Sequence, residues 1–191
     1  MSVRGVIQPL EGRYIITEFD VATGEPRGPY ATKYKYHCGF LVRDKLPISA
    51  REWRKPKNAP HITYVSDADK EVLWEDIKLH FTFQTESYHD DVINHERLVE
   101  LIKHWTMKKM ATQFQSWKKE LYSKYVKKGE TPDWSVAKGP LAKARPFWDD
   151  FVAYKTSEEG MGRIRQNQEN AQQKEYHHNM GSGGYATAVC K

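Results

Sequence analysis

Apolar residues recur at helical spacing in two stretches of the chain and lose that spacing elsewhere. Leu73, Ile77 and Phe81 fall at every fourth position, with Trp74 beside them. That spacing lays one apolar stripe along a helix. Ser66 or Asp67 suits the N-cap, and Asp69 and Glu71 put negative charge in the first turn, where the helix dipole favours it. A helix over 67–81 is predicted. The second stretch is longer. Leu98, Leu101, Ile102 and Trp105 share one face, and Met110, Phe114, Trp117, Leu121 and Tyr125 continue it. No Gly or Pro interrupts 90–128. Gly129 then stops the helix and Pro132 follows, the expected terminating order. One long helix and two kinked ones both fit.

The flanks are less regular. Tyr14-Ile15-Ile16-Thr17-Glu18-Phe19 is rich in β-branched and aromatic residues and reads as a short strand, ended by a turn at Thr23-Gly24-Glu25-Pro26. Residues 34–42 stay open: Pro29 could start a helix, while Tyr, Cys, Phe and Val also suit a strand. Pro47, Pro56 and Pro60 make the next stretch a connector, with Trp53 anchoring it on the helical part. Residues 134–145 read as a loop. Pro146 then fits the first position of a short helix whose aromatic stripe is Phe147, Trp148, Phe151 and Tyr154. Ser157-Glu158-Glu159 can cap a further helix. Residues 166–176 are too polar for a core face, and Gly181-Ser182-Gly183-Gly184 is expected to end the order. The expected fold is mainly α, a small module of three to four helices with a minor N-terminal β segment and a flexible C-terminal tail. Three regions are expected: 1–65, a segment with the strand and connector; 66–156, the helical Trp-rich basic module; and 157–191, the polar helix and tail.

Composition narrows the function classes. With 39% hydrophobic and 13% aromatic residues in 191, including six tryptophans, the core is modest and built largely of rings. The formal charge of +5 favours anionic partners. Cys38 and Cys190 are far apart and form no disulfide framework, which suits a reducing compartment. The start, Met1-Ser2-Val3-Arg4-Gly5, lacks the apolar run of a signal peptide, and nothing approaches the ~20 apolar residues of a membrane span. An intracellular, soluble protein is expected.

The strongest candidate chemistry is a basic helix. Lys103, Lys108, Lys109, Lys118, Lys119, Lys124, Lys127 and Lys128 crowd one predicted helical stretch. Phosphate contacts need mobile positive charge on a rigid support, which such a helix supplies; the alternative is an ordinary solvated lysine face. Replacing Lys118 and Lys119 is expected to weaken DNA binding and leave folding intact. Trp74, Trp105, Trp117 and Trp148 lie on predicted apolar stripes and are expected to be structural core. Asp149-Asp150 and Glu158-Glu159 are adjacent pairs at helix starts, where capping explains them; a two-metal nuclease needs carboxylates converging from separate elements. No catalytic residue is expected. His177-His178 near Cys190 completes no four-ligand zinc set, so no metal and no cofactor are expected. No phosphate loop or dinucleotide fingerprint occurs.

The C-terminal stretch carries a resemblance. Trp148-Asp149-Asp150-Phe151-Val152-Ala153-Tyr154-Lys155-Thr156-Ser157-Glu158-Glu159 runs on to Asn167 and Asn170, then Tyr176, His178, Gly181, Ser182 and Tyr185. This ordered set resembles the plant transposase family of the Ptta/En/Spm type. Trp117-Lys118-Lys119-Glu120-Leu121 with Tyr125, Leu41-Val42-Arg43 with Trp53, and Trp74-Glu75-Asp76-Ile77-Lys78 with Phe81 fit its earlier parts. Two positions depart: Ala171 stands where a basic residue is usual, and His177 where Pro is frequent. The resemblance implies a transposable-element protein of the nucleus that binds DNA or, alternatively, assembles with a separate transposase or host factor.

Overall fold

Two three-residue strands tie distant parts of the chain together in the computed structural model, which describes residues 12–85 and 94–172. Strand β1 (Tyr14–Ile16) pairs in parallel with β2 (Phe81–Phe83), Tyr14 opposite Phe81 and Ile16 opposite Phe83. Between them run α1 (Ala31–Lys45) and α2 (Asp67–His80). After β2 come α3 (His95–Lys124), α4 (Pro140–Ala144), α5 (Trp148–Thr156) and α6 (Glu158–Gln172). The fold is mainly helical, as the apolar spacing predicts. Among the described residues no helix is long and apolar enough to cross a membrane.

The best-read helix starts as its sequence demands. Ser66 Oγ accepts from Asp69 N, and the Asp69 carboxylate accepts from Ser66 N, closing a capping box. Its end differs from expectation by one residue with a large consequence. Phe81 leaves the helix and enters β2, because its backbone pairs with β1. The ring is buried all the same, against Tyr34 at 4.9 Å and Tyr14 at 5.7 Å between centroids. Strand β1 stops at Ile16 and does not extend to Phe19. Beyond it the Asp20 carboxylate accepts from Ala22 N and Thr23 N and bends the chain. Gly24 then takes φ 75°, lying so close to α3 that a Cβ would strike the Leu101 backbone.

The open segment 34–42 is helix. Tyr34, Cys38, Leu41 and Val42 lie on one face of α1 and are buried. That face packs mainly on α3, whose buried residues Leu98, Ile102, Thr106, Met110, Phe114 and Lys118 repeat every fourth position. The polar member of this seam is satisfied: Thr106 Oγ1 donates to Ile102 O, so the Tyr34 hydroxyl donates to Thr106 across 2.6 Å. Burial holds the Tyr34 phenol well above its ordinary range.

Helix α3 is unbroken, which settles the choice between one helix and two. A 3-10 turn (Val126–Lys128) and Gly129 at φ 71° end it, as the glycine predicts. Residues 134–145 are not all loop, since Pro140 opens the short α4. Pro146 lies in a 3-10 turn (Arg145–Phe147), and α5 begins two residues later than expected, at Trp148. Around Trp148 the rings of Trp134, Phe151 and Tyr125 gather at 5.4, 5.7 and 5.8 Å between centroids.

The chain divides into two compact units, Met1–Phe151 and Val152–Lys191. The first includes α1, so segment 1–65 supplies half of the central helix pair. In the second unit, Ser157 Oγ accepts from Gly160 N and caps α6, the role expected of it. Gly160 is needed there because a Cβ would collide with Tyr154 O. The expected Gly-rich tail lies outside the described residues.

Cys38 provides a probe of this core. It is fully buried, and burial pushes its thiol up to about 12. In a Cys190→Ser chain, native Cys38 should react with a thiol reagent orders of magnitude more slowly than in denaturant, because only opened molecules expose a thiolate. Equal rates would mean that α1 does not cover it.

Candidate nucleic-acid interface

The eight lysines expected on one basic surface are distributed by the fold into three environments. Lys118 is buried, 3% exposed, and its ammonium donates to Ala50 O at 2.7 Å and Arg51 O at 3.2 Å. It also lies 4.4 Å from the centre of the Phe114 ring. This corrects its assignment to a DNA-facing surface. Position 118 falls on the four-residue repeat that faces the core, and the connector after α1 presents backbone carbonyls just where its ammonium emerges. Lys103 is paired with both oxygens of Glu71 on α2, at 2.7 and 2.9 Å.

The remaining six, Lys108, Lys109, Lys119, Lys124, Lys127 and Lys128, form no ion pair among the described residues. At about 100° per residue, Lys108 and Lys119 share one azimuth and lie about 16 Å apart along the axis. Thr112, Ser116 and Ser123 are exposed between and beyond them, with Lys109 on the flank. Glu120 is the one acid in residues 101–124. The Thr112 and Ser116 hydroxyls donate back to Lys108 O and Thr112 O, leaving the lysines as the outward donors.

Two open clefts flank this face and share His104 and Lys108 as the ridge between them. One, of about 570 Å³, is lined by Trp53, Arg54, Lys70 and Met107; the other, of about 530 Å³, by Glu25, Leu101, Trp105 and Lys109. Trp53 packs at 6.4 Å from Phe114, the anchoring expected of it.

The four tryptophans divide. Trp74 and Trp148 are buried at 4% and 2% exposure, and Trp74 stacks on Phe83 at 5.6 Å. Trp105 and Trp117 are only partly buried, on the side of α3 toward α1, beneath Lys35 at 5.7 Å and Arg43 at 6.0 Å respectively. Asp149 and Asp150 are exposed in the first turn of α5, and Glu158 and Glu159 in that of α6. Asn167 and Asn170 are exposed on α6, with Gln166 donating to Asn170 Oδ1 at 3.2 Å. Tyr176, His178, Gly181, Ser182 and Tyr185 lie outside the described residues, as do His177 and Cys190.

One polar cluster escaped the reading of the sequence. His37 on α1 and His80 on α2 both face Asp76, Nε2 of the first at 3.4 Å and Nδ1 of the second at 3.2 Å from the same Oδ1. The rings are 4.4 Å apart, and burial together with His80 pushes the His37 imidazole below its usual range. The i, i+4 spacing of Asp76 and His80 was visible; His37 joins them only through helix packing. No family model, curated protein or solved structure matches the chain.

Proposed function

We propose that the chain is a transposon-derived, non-catalytic DNA-binding protein of the nucleus, contacting duplex DNA through the exposed lysines of α3. The observation that carries this reading is the outward face of that helix, where Lys108 and Lys119 stand exposed on a rigid rod with half-buried Lys109 on the flank, none of them paired with a carboxylate among the described residues. The ~16 Å between Lys108 and Lys119 is comparable with the ~12 Å width of a major groove, so flexible ammonium groups can reach phosphates on both sides. The exposed Lys124, Lys127 and Lys128 extend the charge past the helix end. Ammonium groups that neutralise phosphates release counterions, which drives binding without reading bases. The transposon origin rests on the ordered motif from Trp148 to Tyr185.

Duplex binding by fluorescence anisotropy at ~50 and ~200 mM salt tests the proposal. Affinity should fall with salt. The double variant Lys108→Ala/Lys119→Ala should weaken binding to all sequences alike and flatten the log–log salt slope by up to about two units, with folding intact. A folded sample without duplex binding at ~50 mM salt would overturn this reading. It would favour assembly with a transposase or host protein, for which the cleft rimmed by Trp53 and Met107 is the suited surface, since interfaces are enriched in aromatic residues and Met.

A further inference from the structure

The cluster of His37, Asp76 and His80 has more convergence than a polar clamp requires. Two imidazoles crowd a single carboxylate oxygen, at 3.4 and 3.2 Å, and potential donor atoms of all three residues lie within 4.8 Å of one another. Nitrogen and oxygen ligands bind Zn(II) at about 2.0–2.1 Å, which places the corners of a tetrahedron about 3.3 Å apart. The separations of 3.4 and 3.2 Å bracket that edge. Two donors come from one helix at i, i+4, so they project from the same face; the third comes from α1, packed alongside. His37 has the rings of Phe40 and Phe81 at 6.2 and 5.6 Å, giving the cluster an apolar side. His80 is half exposed, so solvent reaches the cluster from the other side.

We propose that His37, Asp76 and His80 form a binding site for a divalent transition-metal ion, with Zn(II) the best match, that cross-links α1 to α2. Two imidazoles and one carboxylate supply three ligands, and a water or an outside group takes the fourth position. Hard cations such as Mg(II) and Ca(II) prefer all-oxygen shells and fit poorly. Loading requires two local changes. The Lys45 ammonium, 3.9 Å from Asp76 Oδ2, swings aside into solvent, and His80 takes the tautomer protonated on Nε2, so that its Nδ1, now 2.9 Å from the Asp76 carbonyl, offers a lone pair in place of a proton. Both side chains are about half exposed, so water can take over the contacts they give up.

The test uses the full chain, purified without a histidine tag and stripped with chelator. Calorimetric titration with Zn(II) should show a site of one equivalent, and Co(II) should give the visible absorption of a four- or five-coordinate ion. His80→Ala and Asp76→Asn should each weaken binding at least about tenfold, the loss seen even for residues that only support a ligand. His80 is exposed enough that its variant should fold, which far-ultraviolet circular dichroism checks. Zn(II) should also raise the Tm of the parent chain and not that of His80→Ala. The variant His177→Ala/His178→Ala should keep the site. Absence of binding overturns the proposal. So does binding that survives His80→Ala and Asp76→Asn, or that is lost with His177 and His178.

Discussion

Lys118→Ala should destabilise the protein by about 2–4 kcal/mol, against no more than about 0.5 kcal/mol for Lys119→Ala next to it. The difference comes from where each side chain ends. Lys119 is exposed. Lys118 spans from α3 to the connector and donates to Ala50 O and Arg51 O. Hydrogen bonds with a charged partner are worth about 1.5–3 kcal/mol, and the Ala50 carbonyl would lose its donor inside the protein. The aliphatic stem and the contact with the Phe114 ring add to the loss. Lys118→Met keeps most of the stem and should recover part of the stability. At about 2–4 °C per kcal/mol for a chain of this size, the alanine variant should melt about 5–15 °C lower. An unchanged Tm would show that the connector does not depend on Lys118. The same comparison guards the DNA experiment: weaker binding after Lys118→Ala reports a disturbed fold, whereas Lys108 and Lys119 report the surface.

Trp148→Ala and Trp74→Ala should each cost about 3–5 kcal/mol, the usual range for removing a buried ring. Trp148 is the hub of the rings of Tyr125, Trp134 and Phe151, and Trp74 stacks on Phe83 beside the strand pair. Trp105→Ala and Trp117→Ala should cost about half as much, because these rings are partly exposed and water already wets one side. Trp148→Phe isolates the reason. The Trp148 Nε1 is buried without a hydrogen-bond partner among the described residues, so phenylalanine removes volume but none of the hydrogen bonds described. It should cost well under half of the alanine change. Urea unfolding of the five variants checks the order. Equal losses at Trp105 and Trp148 would contradict the burial pattern.

Local signals survived into the structure wherever neighbouring residues were enough to decide. The Ser66–Asp69 capping box, the uninterrupted run of α3 and its stop at Gly129 are each settled within a few residues, as is the Ser157 cap of α6. The helical class follows from them, because apolar residues at every third or fourth position can be buried together in no other backbone.

Decisions between distant segments were left to the tertiary structure. Phe81 belongs to a helical stripe by spacing, yet the backbone of Tyr14–Ile16 draws it into a strand. Segment 34–42 suits helix and strand alike, and its packing against α3 made it helix. Position 118 reads as one more surface lysine; its burial depends on carbonyls at residues 50 and 51, which reach it only after the chain has folded back. His37 stands far from Asp76 and His80 in the chain, so that cluster exists only because α1 and α2 lie side by side. The residues along one stretch determined the capping, run and stop of α2, α3 and α6. What each charged side chain meets was decided by chain brought in from elsewhere, since charge and hydrogen-bonding capacity acquire partners only through space.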